Sequence, residues 1–569
     1  MRNLSALSRA ESQAFFHTEG QHVPLQLCRL PDARMVWVNQ RVMRQDPAFI
    51  ACGGTLATYS DYLLQACAYV IATEDTGDSL AIGVADRYGG RGIGHNGGSG
   101  RAVVVNGYHV KGVGRTPLIG TITDEAHASG GAYLEECVRE TIFAELAAAE
   151  FPGGTIPTLA IIDTGLVQVW QEDHGPRPER RCLLIRPSFV RPAHFERAPS
   201  YISIDPRDGY VDSQRVRHAF QTATELWGHD SLPAIYEKFW LTWSEQLAYA
   251  FAHRLPHGGD STSNIALDGQ LLDFGAMTAI PSWARISLKW SGPPAGESLY
   301  YLVQAVRSHA IFLGRYVDAT LATPEAIGCA LNAVVQRYQA ALLREMLRLA
   351  GLTRPQAESL LQAEPAVSRL LGRLMTHYRR EQFTLFEGTP SPRIPWDIER
   401  LWSSEPPTHW LLLRDFLMEK RDLLSECGRV DHELWAERVK LRSRSRPALY
   451  RARIKRELYL TLELHMAGVA LNQNSLDRLI AETVCQNRRD SHIEPNDAIP
   501  IGFARGATAS YALFRSLDTD ACFAMQEWQS ELGEPLNPGE KMRKFSVSEL
   551  VEDKVVFDDA SLALIPLEI

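Results

Sequence analysis

Tyr88-Gly-Gly-Arg-Gly-Ile-Gly-His-Asn-Gly-Gly-Ser-Gly-Arg101 holds seven glycines in the stretch from Gly89 to Gly100. That is too many for a helix or a strand, so the stretch predicts a loop whose backbone comes close to a ligand or to another chain segment. It runs into the apolar strand Arg101-Ala-Val-Val-Val105 and on to His109-Val-Lys-Gly-Val-Gly-Arg-Thr-Pro117. A lysine at the end of such a strand meets a phosphate as a point charge, with a helix glutamate to hold it. Read bare, the loop is equally a surface loop and Lys111 a solvated strand end. What lies downstream decides between them.

His257-Gly-Gly-Asp-Ser-Thr-Ser-Asn264 is followed by Leu271-Leu-Asp-Phe-Gly275. Magnesium takes hard oxygen ligands and keeps some of its waters, so one amide, Asn264, and one carboxylate, Asp273, suffice beside phosphates. The order of glycine-rich stretch, strand lysine, metal-type asparagine and Asp-Phe-Gly is the order used by protein-kinase-like folds. Gly89, Gly90, Arg91, Gly92, Gly98, Gly100, Arg101 and Lys111 are therefore the nucleotide-contacting candidates. Arg186 and Arg191, flanking Pro187-Ser-Phe-Val190, are placed to clamp a phosphate in bidentate fashion or to bridge two lobes.

Around these motifs the chain reads as α+β. Met35–Val38, Arg101–Val105, Thr158–Ile162, Leu166–Trp170 and Cys182–Ile185 predict strands, and Ala132–Glu150 predicts a helix with Leu134, Val138 and Ile142 on its stripe. Two acids on that helix compete for Lys111. Glu145 falls among the apolar positions and demands a buried partner, so periodicity favours it over Glu140. From Gln214 onward helices dominate, with strand hints only at Ala498–Gly502 and Glu549–Phe557. Breaks at Thr389-Pro-Ser-Pro-Arg393 and Glu405-Pro-Pro407 suggest units of 1–200, 201–390 and 391–569. The basic run from Arg438 to Arg456 reads as a solvated helix face.

Composition narrows the function. With 569 residues, 45% hydrophobic and 22% charged, the chain is an ordinary globular one of several units. A net charge of -9 argues against a general nucleic-acid binder. No apolar run spans a bilayer and the N-terminal residues lack a secretory signal, so a cytoplasmic location is expected. The nine cysteines show neither zinc spacing nor a disulfide framework.

Together the motifs resemble the SelO (YdiU) family of protein adenylyltransferases, once classed as pseudokinases. Its Tyr-x-Gly-His-Gln-Phe-Gly and Gly-Asp-Gly-Arg-Ala stretches resemble Tyr88–Gly94 and Gly98–Ala102. Its Leu-Lys-Gly-Ala-Gly-x-Thr-Pro block resembles Val110–Pro117, and its Ile-Arg-Glu helix resembles Val138-Arg-Glu140. Its Ala-Pro-Ser-x-Ile-Arg-x-x-x-Phe-Glu block resembles Arg186–Glu196, and its His-Gly-x-x-Asn-Thr-Asp-Asn resembles His257–Asn264, with Asp273-Phe-Gly275 for its Asp-Tyr-Gly.

The resemblance spans roughly Leu25 to Leu352. It implies a two-lobed protein-kinase-like fold with a mixed α+β N-lobe and a helical C-lobe, followed by a further mostly helical region. It implies ATP bound in a flipped orientation, so that AMP passes to a hydroxyl of a protein or peptide acceptor. Lys111, Glu140, Arg191 and Arg186 would hold the phosphates; Asn264 and Asp273 would carry Mg2+. The resemblance thus places Glu140, against the periodicity, as the partner of Lys111.

Three departures bear on the base. The family's aspartate before the metal asparagine is Ser263 here, and its asparagine three places before is Ser261. An extra acid, Asp260, stands next to the position a kinase-like His-Gly-Asp motif uses. Asp260 and Ser263 are accordingly the catalytic candidates. A kinase-type phosphotransferase with Asp260 as base, and a nucleotide-binding pseudoenzyme acting through a partner, are the alternative expectations.

Overall fold

The structure is a computed structural model. It describes residues 9–72, 80–90, 96–123, 125–173, 175–202, 211–280, 285–287, 298–378, 382–384, 397–424, 431–466, 471–495, 498–519, 521–527, 544–545 and 547–557. The candidate positions Arg91 and Gly92, and the break at Thr389–Arg393, lie outside the described residues.

The first third of the chain builds a nine-stranded antiparallel sheet from β1 (His22–Arg29), β2 (Arg34–Val38), β3 (Tyr69–Ile71), β4 (Leu80–Asp86), β5 (Ala102–Val105), β6 (Tyr108–Lys111), β7 (Ala132–Tyr133), β8 (Ala160–Glu172) and β9 (Gly175–Pro187). Its order is β2-β8-β9-β6-β5-β4-β1-β3, with β7 added to β9. β5 and β6 form a tight hairpin. Asn106 and Gly107 both take positive φ, 52° and 80°, the primed turn that matches strand twist.

Alternation along β6 then sorts the side chains. Tyr108 and Val110 join one apolar layer with Leu63 and Ile185, which leaves His109 and Lys111 on the opposite face. Arg186 on β9 pairs directly with His109, and Leu184 with Lys111. A basic row thus comes to lie on one side of an otherwise apolar sheet.

Helix α1 (Leu134–Glu150) packs against the sheet. Behind it stand α2 (Ser231–Ala252), α3 (Leu299–Tyr316) and α4 (Pro324–Leu349), then α5 (Arg451–Met466) and α6 (Gln473–Asn487). One continuous apolar cluster runs from Phe15 to Val484 and contains Ile142, Leu146, Leu247, Leu347, Leu458 and Ile480. The chain's late helices therefore share a core with its first sheet. A short parallel pair joins β10 (Arg285–Ser287) to β11 (Gln382–Thr384).

Several details depart from the sequence reading. The two strands expected at 158–162 and 166–170 are one strand, irregular between Asp163 and Val167. The C-terminal region carries a five-stranded antiparallel sheet of β12 (Ala498–Arg505), β13 (Ser510–Ser516), β14 (Cys522–Gln526), β15 (Lys544–Phe545) and β16 (Val556–Phe557). The strand expected at 549–557 is instead a helix over Val547–Glu552 and the short β16. Arg438 and Arg442, read as a solvated face, are buried. Among the described residues no disulfide is formed.

A buried ionic network explains Arg442 and locks the C-terminal region to α4. Arg348 donates to both oxygens of Asp490 at 2.8 and 2.9 Å, to Glu345 at 2.8 Å and to Glu494 at 2.9 Å. Arg442 donates to Glu494 at 2.5 Å and to the Arg348 carbonyl at 2.7 Å. Burial alone would raise the Asp490 carboxyl, but Arg348 and then Arg442 outweigh it and bring it down to about 2. His253, Glu345 and Asp490 have ligand-type atoms within 4.8 Å of one another. Guanidinium groups already occupy those carboxylates, which makes the cluster an ion network.

Candidate active site

Lys111 ends β6 just before a tight crossing. Gly112 has φ 105°, and a Cβ there would lie 2.4 Å from the Cys182 carbonyl oxygen, so the lysine is followed by the one residue that fits. Its Nζ meets three carboxylates: Glu140 Oε1 at 2.5 Å, Glu136 Oε1 at 3.2 Å and Asp273 Oδ1 at 3.2 Å. Glu136 and Glu140 are one turn apart on α1 and so share a face. Arg101 donates to both oxygens of Glu136, at 2.6 and 3.1 Å. Arg186 Nη2 donates to Glu140 Oε2 at 2.5 Å.

Glu145, which periodicity favoured, does not reach Lys111. It pairs with Arg41 at 2.6 Å and accepts from Asn39 Nδ2 at 2.5 Å. Its odd place on the apolar stripe did signal a buried cation, though a different one.

Asp273 approaches from the other side. It adopts the left-handed conformation, φ 60°, in a loop fixed at both ends. His257 Nε2 donates to the Leu272 carbonyl at 2.9 Å, and Arg139 Nη1 donates to the Gly275 carbonyl at 2.8 Å. The Asp273 side chain is 40% exposed, whereas that of Glu140 is fully buried. Burial would raise the Asp273 carboxyl, but Lys111, Arg101 and Arg186 hold it well below the usual range. Glu136 is held low by Arg101 and Lys111 against the same penalty. Both are charged at neutral pH and pinned by cations. Lys111 itself stays protonated: burial and Arg101 oppose its charge, and Asp273, Glu140 and Glu136 prevail.

Asn264 is tied to the Asp273 loop through its carbonyl, which accepts from Leu272 N at 3.1 Å. Its Nδ2 donates to the Gly259 carbonyl at 2.9 Å. The side-chain oxygen is then what Asn264 has to offer a cation. Asp260 accepts from Ser298 Oγ at 2.5 Å, beside the start of α3. Ser263 is buried and bonds Ser261 at 2.8 Å.

The glycine-rich stretch is used differently at its two ends. Gly89 N and Gly90 N donate to the carbonyls of Ala193 and Arg197, at 2.8 and 3.1 Å. A Cβ at Gly89 would collide with the Glu196 and Arg197 carbonyls. These two glycines let two backbones touch, and their amides are taken by protein. Gly98 and Gly100 likewise press against the Asp86 carbonyl and Ile119.

Sequence reasoning named Arg191 but missed the residues gathered around it. Arg191 is buried, with its guanidinium 4.4 Å above the Tyr88 ring and 4.9 Å from that of Phe189. Its Nη2 lies 3.4 Å from His109 Nε2, and its Nη1 lies 3.8 Å from Asp86. Asp86 is in turn held by His194 at 2.9 Å. Burial, then Arg191, push the His109 imidazole down to about 3, so it is neutral. A guanidinium only donates, so Nε2 accepts and Nδ1 carries the hydrogen. That Nδ1, and Arg191 Nε and Nη1, are buried with no hydrogen-bond partner. The corner is not short of negative charge: burial would raise the Asp86 carboxyl, but His194 and Arg191 hold it low, and its Oδ1 is likewise buried with no hydrogen-bond partner. The available signal was spacing: His109 stands two residues before Lys111 on the same strand face.

Residues 86–286 match the family model described as protein adenylyltransferase SelO. Over that segment the chain is similar to the SelO family. No curated protein matches the chain significantly. The family's description is that of a nucleotidyltransferase that modifies proteins, and the matched SelO segment contains Lys111, Glu140, Arg186, Arg191, Asn264 and Asp273. No helix among the described residues is long and apolar enough to cross a membrane.

Proposed function

We propose that this chain transfers AMP from ATP to a hydroxyl group of a protein or peptide, in a two-lobed, kinase-like frame. The sheet with α1 would be one lobe and α2–α4 the other. The observation that carries this reading is a continuous polar row: Asp273, Lys111, Glu140, Arg186, His109 and Arg191, each in contact with or paired to the next. It begins at a carboxylate 40% exposed and ends in a buried corner where Arg191 and His109 have donors without hydrogen-bond partners, beside the Asp86 carboxylate.

Direction follows from charge. The terminal phosphate of ATP carries the densest negative charge, and the buried Arg191 corner offers it donors that water does not reach. That seats the γ-phosphate deep and leaves the α-phosphate near Asp273, where an acceptor can approach. The acceptor oxygen bonds to the α-phosphorus and the bridging bond to the β-phosphate breaks, so pyrophosphate leaves. The hydroxyl proton passes to Asp260. Asn264 and Asp273 are a hard-oxygen pair that fits Mg2+, which when bound neutralises phosphate charge.

Incubation with Mg2+ and ATP labelled at either the α or the γ position tests the reading. Label from the α position entering protein is the expected result. Label from the γ position instead would establish a phosphotransferase, and nucleotide binding without either would establish a scaffold.

A further inference from the structure

Helix α1 is held from behind by the C-terminal region, and the hold is ionic as well as apolar. Glu150, at the last turn of α1, is fully buried. It accepts from Arg446 Nη1 and Nη2 at 3.1 and 2.9 Å, from Arg489 N at 2.8 Å and from the Tyr249 hydroxyl at 2.8 Å. One carboxylate thus joins α1, α2 and two C-terminal segments. Glu145, between Glu140 and Glu150, lies 3.4 Å from Arg505 on β12.

The same region grips the sheet edge beside α1. Gln473 spans both backbone groups of Val38, accepting from its N at 2.6 Å and donating to its carbonyl at 2.9 Å. Asp477 accepts from Trp37 Nε1 at 3.0 Å. Ile454, Leu458, Leu476 and Ile480 complete the packing in the shared core. The region itself is anchored to α4 through Arg348 and Asp490.

A helix is a stiff rod, and Glu140 lies ten residues, roughly 15 Å, from Glu150 along it. Fixing Glu145 and Glu150 fixes both the rotation and the axial position of α1. We propose that the C-terminal helices α5 and α6, with strand β12, act as a built-in brace on α1. Arg446 and Arg505 are positioning residues that keep the Lys111–Glu140 contact formed before any nucleotide arrives. The proposal rests on the reading of that contact as part of the nucleotide site. It gives the region beyond residue 430 a task within the reaction: the site is assembled permanently and needs no separate activator to swing the helix in.

The test compares full-length wild type with Glu150→Gln, which keeps the volume and the bond from Tyr249 but removes the charge that Arg446 meets. Hydrogen exchange of the nucleotide-free proteins is read peptide by peptide, and KM and kcat for ATP are measured in the α-label assay. A loosened α1 leaves only a fraction of molecules competent. The expected result is faster exchange over residues 134–150 than in α2 or α4, and a KM raised about tenfold with kcat within about twofold. Arg446→Lys should fall between the two proteins. Uniformly faster exchange, or a KM equal to that of wild type, overturns the brace. If wild type fails to use ATP at all, the nucleotide reading falls while the exchange pattern still decides the brace. Should Glu150→Gln not fold, Gln473→Ala removes two bonds at a half-buried position, and the same local exchange pattern is expected of it.

Discussion

Asp273→Ala should leave a folded protein that binds ATP and transfers almost nothing, with kcat lowered on the order of 10³-fold. A metal-bearing carboxylate supplies several kcal/mol of charge stabilisation as the phosphate bond breaks, and each 1.36 kcal/mol is a factor of ten. The fold is spared for a local reason. The side chain is 40% exposed, so its removal opens no cavity, and Lys111 keeps Glu136 and Glu140. The loop itself stays held through the Leu272 and Gly275 carbonyls. The measurement is α-label transfer over a range of Mg2+ concentrations, alongside a thermal melt. Activity within tenfold of wild type, with unchanged Mg2+ dependence, would show that Asp273 carries no metal.

Lys111→Ala should be the next most damaging change and should act through binding as well as turnover. Three carboxylates converge on this ammonium, so its loss leaves the middle of the row net negative where the proposed reading seats the phosphates. A fall in kcat/KM on the order of 10²- to 10³-fold is expected. Stability should drop by less than the ~3–5 kcal/mol of a buried pair broken outright, because Arg101 still holds Glu136 and Arg186 still holds Glu140. Lys111→Arg should not restore activity. A compact ammonium meets three oxygens from three directions, and a planar fork in the same buried space does not. Wild-type ATP affinity in Lys111→Ala would remove the lysine from the site.

What the sequence made legible was the part of the site in which residue type and local spacing coincide. A glycine-flanked lysine at a strand end, an acid on the next helix and Asn264 ahead of Asp273 are all local patterns; Lys111, Glu140 and Asp273 meet, and Asn264 is bonded through its backbone to Leu272. Glu145 shows where local reasoning ends. Its place on the apolar stripe predicted a buried partner, but Arg41 and Arg505 stand far away in the chain, and periodicity has no access to them. Glycine content misled in a related way, since the amides of Gly89 and Gly90 are spent on protein carbonyls. Of the C-terminal sheet, β12 was hinted at by Ala498–Gly502, whereas β13 and β14 escaped, β13 for a physical reason. β13 is buried at four successive positions, Tyr511 to Phe514, so the two-residue alternation of a half-exposed strand never appears. Glu150 and Arg446 belong to the same class of contact, 296 positions apart.

A structure of the full chain with Mg2+ and a non-hydrolysable ATP analogue tests the central claim most directly. The account predicts the γ-phosphate against Arg191 and His109, Lys111 and Arg186 along the phosphates, Mg2+ on Asn264 and Asp273, and the α-phosphate toward solvent. A triphosphate lying elsewhere in the molecule, or one whose adenine fills the Arg191 corner and whose γ-phosphate faces solvent, would contradict it.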